Sequence, residues 1–214
     1  MKKFLEVVVT VVVAFAVALA LKTYVFTNVE VWGSSMDDTL YGGVSAVEDG
    51  KRVYHGGDTL LVLKLGKVKK GDIIVFDKRA YTSYSGPEEN YNVVKRVVAV
   101  AGDHVSIKIN GDTAYLYVNG QAVEEDYIKE PMKAQIYPGA DYEIDPNFGT
   151  MSYNWTVPEN CVFVLGDNRN VSSDSRQNGM VRLDAKDEDG NSYIVGKAVF
   201  VSNFSKTRTV FKTA

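Results

Sequence analysis

The feature that most constrains this chain is FLEVVVTVVVAFAVALALKTYVF, residues 4–26, which follows the lysine pair Lys2-Lys3. From Val7 to Leu21 there are 15 residues without a charge. Two readings fit. Ala18-Leu19-Ala20 has the small-x-small pattern that ends a cleaved signal peptide. The whole stretch Phe4 to Phe26 is also long enough, at 23 residues, to cross a bilayer core of about 30 Å. Because the apolar run continues past Lys22, the sequence favours the anchor. Glu6 and Lys22 then lie near the ends, where long side chains reach the interface, and Tyr24 and Phe26 supply interfacial aromatics. The lysine pair predicts a cytoplasmic N-terminus, residues 1–3, with everything after residue 26 on the other side. Later apolar runs (IIVF, VVAVA, VFVL) are too short to span.

The remainder has the length and composition of a folded domain, with 45% hydrophobic and 24% charged residues in the 214-residue chain. Of 24 basic and 27 acidic residues, setting aside Lys2, Lys3, Lys22 and Glu6 leaves 21 and 26, an acidic domain. With no basic run, nucleic acid is not an expected partner. A single cysteine, Cys161, excludes an intrachain disulfide and a multi-cysteine metal site. Its apolar setting, NCVFVL, reads as a buried structural thiol. His55 and His104 lie in turn-like stretches and read as surface residues. No metal or organic cofactor is expected.

The pattern after residue 26 is β. VEVW (29–32), TLLVLKL (59–65), DIIVFDK (72–78), NVVKRVVAVA (92–101), HVSIKI (104–109), NCVFVLGD (160–167) and YIVGKAVFVSN (193–203) are rich in β-branched residues. Asn110-Gly111 and Asn119-Gly120 bracket DTAYLYV and predict tight hairpins. Residues 41–57 and 79–91 read as loops, 186–192 as a solvated turn, and 121–158 as a mixed, loosely structured insertion. The expectation is a mainly β fold: one transmembrane helix, then an all-β domain of residues 27–105 and 159–214 with a small inserted subdomain, 106–158.

The chemistry is sought in serines. Ser34 and Ser35 sit where the chain leaves the apolar run, in VWGSSMDDTL, and no histidine offers itself as a base. A lysine can serve if burial keeps it neutral. Lys95 fits best, inside NVVKRVVAVAGD; in a strand it and Arg96 point to opposite faces, so one can be buried while the other is solvated. A lysine reaching out from a strand is the commoner case.

What changes the weighing is the order of the blocks GSSM-DDTL, KKGDIIVF, VVKRVVAVAGD and LGDNRNVSSDSR, with YIVGKAVF as a final one. With these the chain resembles bacterial type I signal peptidases, most closely the Gram-positive branch with one anchor. The likeness covers about two thirds of the chain. It implies a serine endopeptidase that removes signal peptides from exported preproteins after small-x-small sites at the outer membrane face. Ser35, the serine before methionine, matches the nucleophile and Lys95 the general base. The Ser35 backbone N–H matches an oxyanion donor, and Gly33 stands where some members carry a hydroxyl donor; Ser34 Oγ and a backbone amide are both candidates for the second. Ser172 matches the serine that orients the lysine, and Asp174 and Arg176 a pair that structures the site. Val29, Val31, Met36, Leu40 and Val94 are candidates to line the pockets for small residues, with plain core packing as an equal alternative. The implied partners are preproteins, delivered by the secretion machinery, and the lipid bilayer; no pattern specifies an oligomeric state.

The chain also departs from the family pattern. Asp38 replaces a proline after Ser-Met-x, which loosens that turn and adds a carboxylate beside Asp37. Asn170-Val171 replaces the usual Asp-Asn, and the link from Leu40 to Gly57 is long. These departures motivate the rival expectation of a catalytically weak relative serving pilus or surface-protein assembly.

Overall fold

The computed structural model describes residues 2–37, 39–49, 51–86, 92–137, 139–146 and 149–202. Helix α1 runs Lys2–Ala20 and continues through one π-helical turn, Leu21–Val25, so that the helical, apolar span is Lys2–Val25. It buries none of its side chains against the rest of the chain, and valine, leucine and phenylalanine are exposed all round it. A helix apolar on every face needs an apolar surround, and its length suits a bilayer.

Strand β1, Phe26–Glu30, follows the helix without a linker. Beyond it come β2 (Val44–Glu48), β3 (Lys51–His55), β4 (Thr59–Leu63), β5 (Ile73–Asp77), β6 (Asn92–Val100), β7 (His104–Asn110), β8 (Thr113–Val118), β9 (Gln121–Ala122), β10 (Asp141–Ile144), β11 (Met151–Thr156) and β12 (Cys161–Leu165). A four-residue helix, α2 (Ser175–Asn178), precedes β13 (Val181–Arg182) and β14 (Ile194–Ser202). The fold is mainly β, as expected. A seven-stranded sheet has the order β1-β4-β14-β5-β6-β12-β13, a five-stranded sheet β10-β11-β7-β8-β9, and β2 pairs with β3 alone.

Both faces of the β5–β6 pair are covered. Ile73, Val75 and Val94 enter one apolar cluster with Val31, Met36, Leu40, Leu60 and Val62. Ile74, Phe76 and Val97 enter another with Tyr81, Val162, Val164 and Val181. The five-stranded sheet packs Val105, Ile107, Leu116 and Tyr153 against Ala99, Phe163 and Leu165 of the first sheet. A sheet buried on both sides reads as unbroken apolar runs, which is why IIVF and VVAVA carry no alternation.

Several local expectations shift. The strand expected at 29–32 lies at Phe26–Glu30. Residues 41–57, read as a loop, hold the β2–β3 hairpin, paired from Val44↔His55 to Glu48↔Lys51; the overlooked signal is the Asp-Gly pair in VEDGKRV, with Asp49 at φ 49°. Residues 121–158, read as loosely structured, supply β9, β10 and β11, and β11 pairs with β7 over six residues. The Asn-Gly hairpins form as expected, with Asn119 and Gly120 both at positive φ. Cys161 is buried, and His55 and His104 are exposed.

Candidate active site

Ser35 sits in a turn whose two ends are held by one buried residue, Asp58. Asp58 accepts the Tyr41 N–H through Oδ2 at 2.8 Å, its backbone carbonyl accepts from Val31 N, and its backbone N–H donates to Tyr41 O. Inside the turn, Gly33 N donates to Gly42 O, and a Cβ on Gly42 would overlap the Gly33 backbone. Gly33 itself has φ 83°, a backbone conformation that favours glycine. One helical turn, Leu40 N to Met36 O, then drives Met36 and Leu40 into the core. Asp38 lies outside the described residues.

Lys95 reaches this turn from β6. Its Nζ donates to Ser35 Oγ at 2.8 Å and to the Val94 carbonyl at 2.9 Å, and the residue is only 3% exposed. Burial pushes its pKa down from 10.5 to about 8; Asp174 and Asp167 push back, while Arg176 adds to the lowering. At neutral pH a tenth or so of such a lysine is the free base, against a vanishing fraction for an exposed one.

Arg96 corrects the expectation that one of the two neighbours would be solvated. It is 8% exposed, because Asp167 grips its guanidinium through two bonds of 2.8 and 2.7 Å and the Tyr127 ring lies 4.1 Å away. A buried charge demands such pairing, and both partners are distant in sequence.

The loop after β12 wraps the other side of the Ser34–Ser35 turn. Asn168 was not anticipated: its Nδ2 donates to Ser34 O at 3.0 Å and its backbone N–H to Ser35 O at 3.1 Å. Gly166 was also missed; a Cβ there would overlap both Ser172 Oγ and the Ser35 carbonyl. Asp174 caps α2 with a capping box and holds Arg176 through two bonds of 2.8 Å, while Gly166 N donates to its Oδ2 at 3.0 Å. Both side chains are fully buried. Burial opposes ionisation of Asp174, yet Arg176 and the bonds it receives hold its pKa below the ordinary carboxylate value. Ser172 is buried, but its hydroxyl makes no well-formed hydrogen bond, to the lysine or otherwise, although it lies close enough to Asp174 to help lower that pKa. The Ser34 side chain is exposed beside Ser35. Val31, Met36, Leu40 and Val94 are buried in one cluster on which the half-buried Val29 packs.

A lysine acting as base on a serine would need a short contact of this kind, and comparison with known proteins gives the class. The model of the family "Signal peptidase, peptidase S26" matches residues 4–202. The chain belongs to the signal peptidase family, peptidase S26. It is 35% identical over 189 residues to a signal peptidase I of Bacillus licheniformis, covering 86% of this chain and 84% of that one. To a signal peptidase IB of Staphylococcus aureus it is 34% identical over 203 residues, covering 93% and 89%. A crystal structure of a signal peptidase I from Enterococcus faecalis matches 62% of this chain and 97% of its own with a TM-score of 0.37 and 25% identity. Membership makes the protein a type I signal peptidase, a serine hydrolase, and the apolar helix Lys2–Val25 fits a membrane-anchored member of the family.

Proposed function

We propose that the chain removes signal peptides from exported preproteins with a Ser35–Lys95 dyad, cutting after small-x-small sites at the outer face of the membrane. The observation that carries the reading is the 2.8 Å contact between Ser35 Oγ and a lysine whose burial brings its pKa to about 8. Neutral Lys95 takes the proton of Ser35 Oγ as the oxygen attacks the scissile carbonyl, then delivers it to the leaving amine. The acyl group left on Ser35 is released by a water that Lys95 deprotonates in turn. The Ser35 backbone N–H, with the Ser34 hydroxyl as second donor, stabilises the oxyanion. Ser172, Asp174 and Arg176 position the base: Asp174 and Arg176 form a rigid buried pair, and Ser172 fills the space between them and the nucleophile turn. Val29, Val31, Met36, Leu40 and Val94 wall the apolar side, where a large side chain before the cut would clash.

In this reading residues 27–105 and 159–214 form the catalytic part and 106–158 the insertion; of these, 38, 50, 87–91, 138, 147–148 and 203–214 lie outside the described residues. The N-terminus is cytoplasmic and the span crosses once. Strand β1 starts at Phe26, directly after the helix, so Ser35 lies within about 33 Å of extended chain from the bilayer. A preprotein handed over by the secretion machinery, its own signal in the bilayer, exposes its scissile bond at the same level.

The test is cleavage of a detergent-solubilised preprotein with an Ala-x-Ala site, read by product mass, for wild type, Ser35→Ala and Lys95→Met. Wild type cuts after the second alanine and both variants, though folded, are inactive. An inert wild type on several such substrates would refute the reading in favour of an assembly factor.

A further inference from the structure

Where the apolar helix ends, the loop between β4 and β5 is fastened to it. Strand β4 pairs with β1 up to Leu63↔Phe26. One residue on, Lys64 N donates to Val25 O at 2.8 Å, and Lys64 Nζ donates to Thr23 O at 3.0 Å. Lys197 of β14 holds the same loop from its far end: its Nζ donates to Lys67 O at 3.0 Å and pairs with Asp72 at 3.2 Å. The loop LGKVKKG, residues 65–71, thus has a fixed place beside the last helical turn, Leu21–Val25.

Lys64, Lys67, Lys69 and Lys70 fall within seven residues and are all exposed, and Lys22 stands exposed on the helical turn itself. Lys70 is neutralised by Asp103 at 2.9 Å, and Lys197 by Asp72. The remaining charges are uncompensated. Lys64 bonds a neutral carbonyl, and Lys22, Lys67 and Lys69 have no acidic partner among the described residues. Glu30 stands at the opposite end of β1, across from Thr59, four residues and about 13 Å from Phe26. Leu65, 56% exposed, and Tyr24, 73% exposed, lie among these lysines. A domain that is acidic as a whole therefore carries four unpaired positive charges around the end of its apolar helix.

We infer that residues 64–69, with Lys22, seat the β domain on anionic lipid headgroups beside its own anchor. This rests on Lys2–Val25 as a membrane span and not on the Ser35–Lys95 pair. Lys22 and Lys64 are held at the end of that span, and Lys67 is at most about 11 Å of extended chain beyond Lys64. Surface charge is felt over roughly that distance, about 10 Å at 0.1 M salt. The ammonium groups take phosphate oxygens as point charges, while Tyr24 and Leu65 suit the boundary between headgroups and acyl chains. The bonds from Lys64 to the helix end select the bilayer over a soluble acidic partner, because they keep the loop at its surface. Seated so, β1 leaves the membrane in one direction, and the Ser34–Ser35 turn that follows it keeps one height.

The test is thermal unfolding of the full-length protein in uncharged maltoside micelles doped with phosphatidylglycerol, with phosphatidylcholine, or supplied with inorganic phosphate. A ligand that binds the folded state raises the midpoint. Wild type is compared with Lys67→Gln/Lys69→Gln, which leaves the Lys64 bonds to the helix in place, and with Lys108→Gln/Lys133→Gln, which removes the same charge elsewhere. The wild-type midpoint rises with phosphatidylglycerol alone, and about 0.5 M salt abolishes the rise. A lysine near an anionic surface contributes about five-fold in binding, so Lys67→Gln/Lys69→Gln needs a phosphatidylglycerol fraction about 25-fold higher for half the rise. Lys108→Gln/Lys133→Gln responds as wild type. No rise in wild type, an equal rise with phosphatidylcholine or with phosphate, or an equal rise in Lys67→Gln/Lys69→Gln overturns the seat. No cleavage is read, so failure of the peptidase reading leaves this result standing, and the converse holds.

Discussion

Replacing Lys95 with methionine removes the proposed base, and the structure says it also stabilises the fold at neutral pH. Lys95 is 3% exposed, and burial lowers its pKa from 10.5 to about 8. The folded state therefore binds its proton less tightly than the unfolded chain does. Below pH 8 the group is charged in both states, and folding carries the whole penalty of burying an ammonium. Between pH 8 and 10.5 the unfolded chain keeps its proton and the folded one releases it, so stability rises with pH. Above 10.5 both are neutral and the penalty is gone. At about 1.4 kcal/mol per pH unit the gap amounts to about 3 kcal/mol. Methionine has similar length, no charge to desolvate, and suits an apolar setting; what it forfeits is the bonds to Ser35 Oγ and Val94 O, about 1 kcal/mol each. Lys95→Met is thus expected to gain about 1–2 kcal/mol over wild type at pH 7 and to lose that advantage by pH 10.5. Urea unfolding of the full-length proteins in detergent micelles at pH 7, 8.5 and 10.5 measures the difference. A difference independent of pH would refute the reasoning, because the coupling between burial and protonation would then be absent and Lys95 would have no means of being a base at neutral pH.

Other expectations follow from the same contacts. The kcat/KM of wild type rises with pH and reaches half its plateau near pH 8, as Lys95 loses its proton; a profile flat from pH 6 to 9 would exclude a titrating lysine base. Asp174→Asn leaves the buried Arg176 charge uncompensated and costs on the order of 3–5 kcal/mol in denaturant unfolding. If the variant folds, its pH–activity limb moves to lower pH, since the Asp174 charge that raises the Lys95 pKa is gone. Gly166→Ala pushes a methyl group into Ser172 Oγ and the Ser35 carbonyl, and kcat/KM falls roughly 100-fold, as expected when Ser35, the proposed nucleophile, is displaced by about 1 Å; full activity would mean the loop does not set the place of Ser35.

How much of this was legible in the sequence depends on how far each interaction reaches. The apolar helix, the Asn-Gly hairpins and the β runs declare themselves within a few residues, because period, turn chemistry and branching are local. The 60 residues between Ser35 and Lys95 carry no such signal; it was the order of the blocks that joined them. The error about Arg96 is instructive. Strand alternation requires opposite faces for Lys95 and Arg96, and that is correct: their partners on β5 are Ile74 and Ile73, which enter different clusters. It does not say that either face is wet. Arg96 is buried because Asp167 and Tyr127, 71 and 31 residues further along, pair with it, and one of them belongs to the stretch read as loosely structured. The same stretch supplies Glu125, Pro131 and Lys133 to the loop around Ser35. Asn168 and Gly166 escaped for the converse reason. An Asn or Gly in a turn has a sufficient local explanation, and only the approach of the Ser34–Ser35 backbone, more than 130 residues away, gives these two another use. The proposed site is built from a Ser35–Lys95 pair that burial makes chemically competent and a loop that fixes where Ser35 stands. The first is read from apolar flanks around a lysine; the second exists only once the chain has closed on itself.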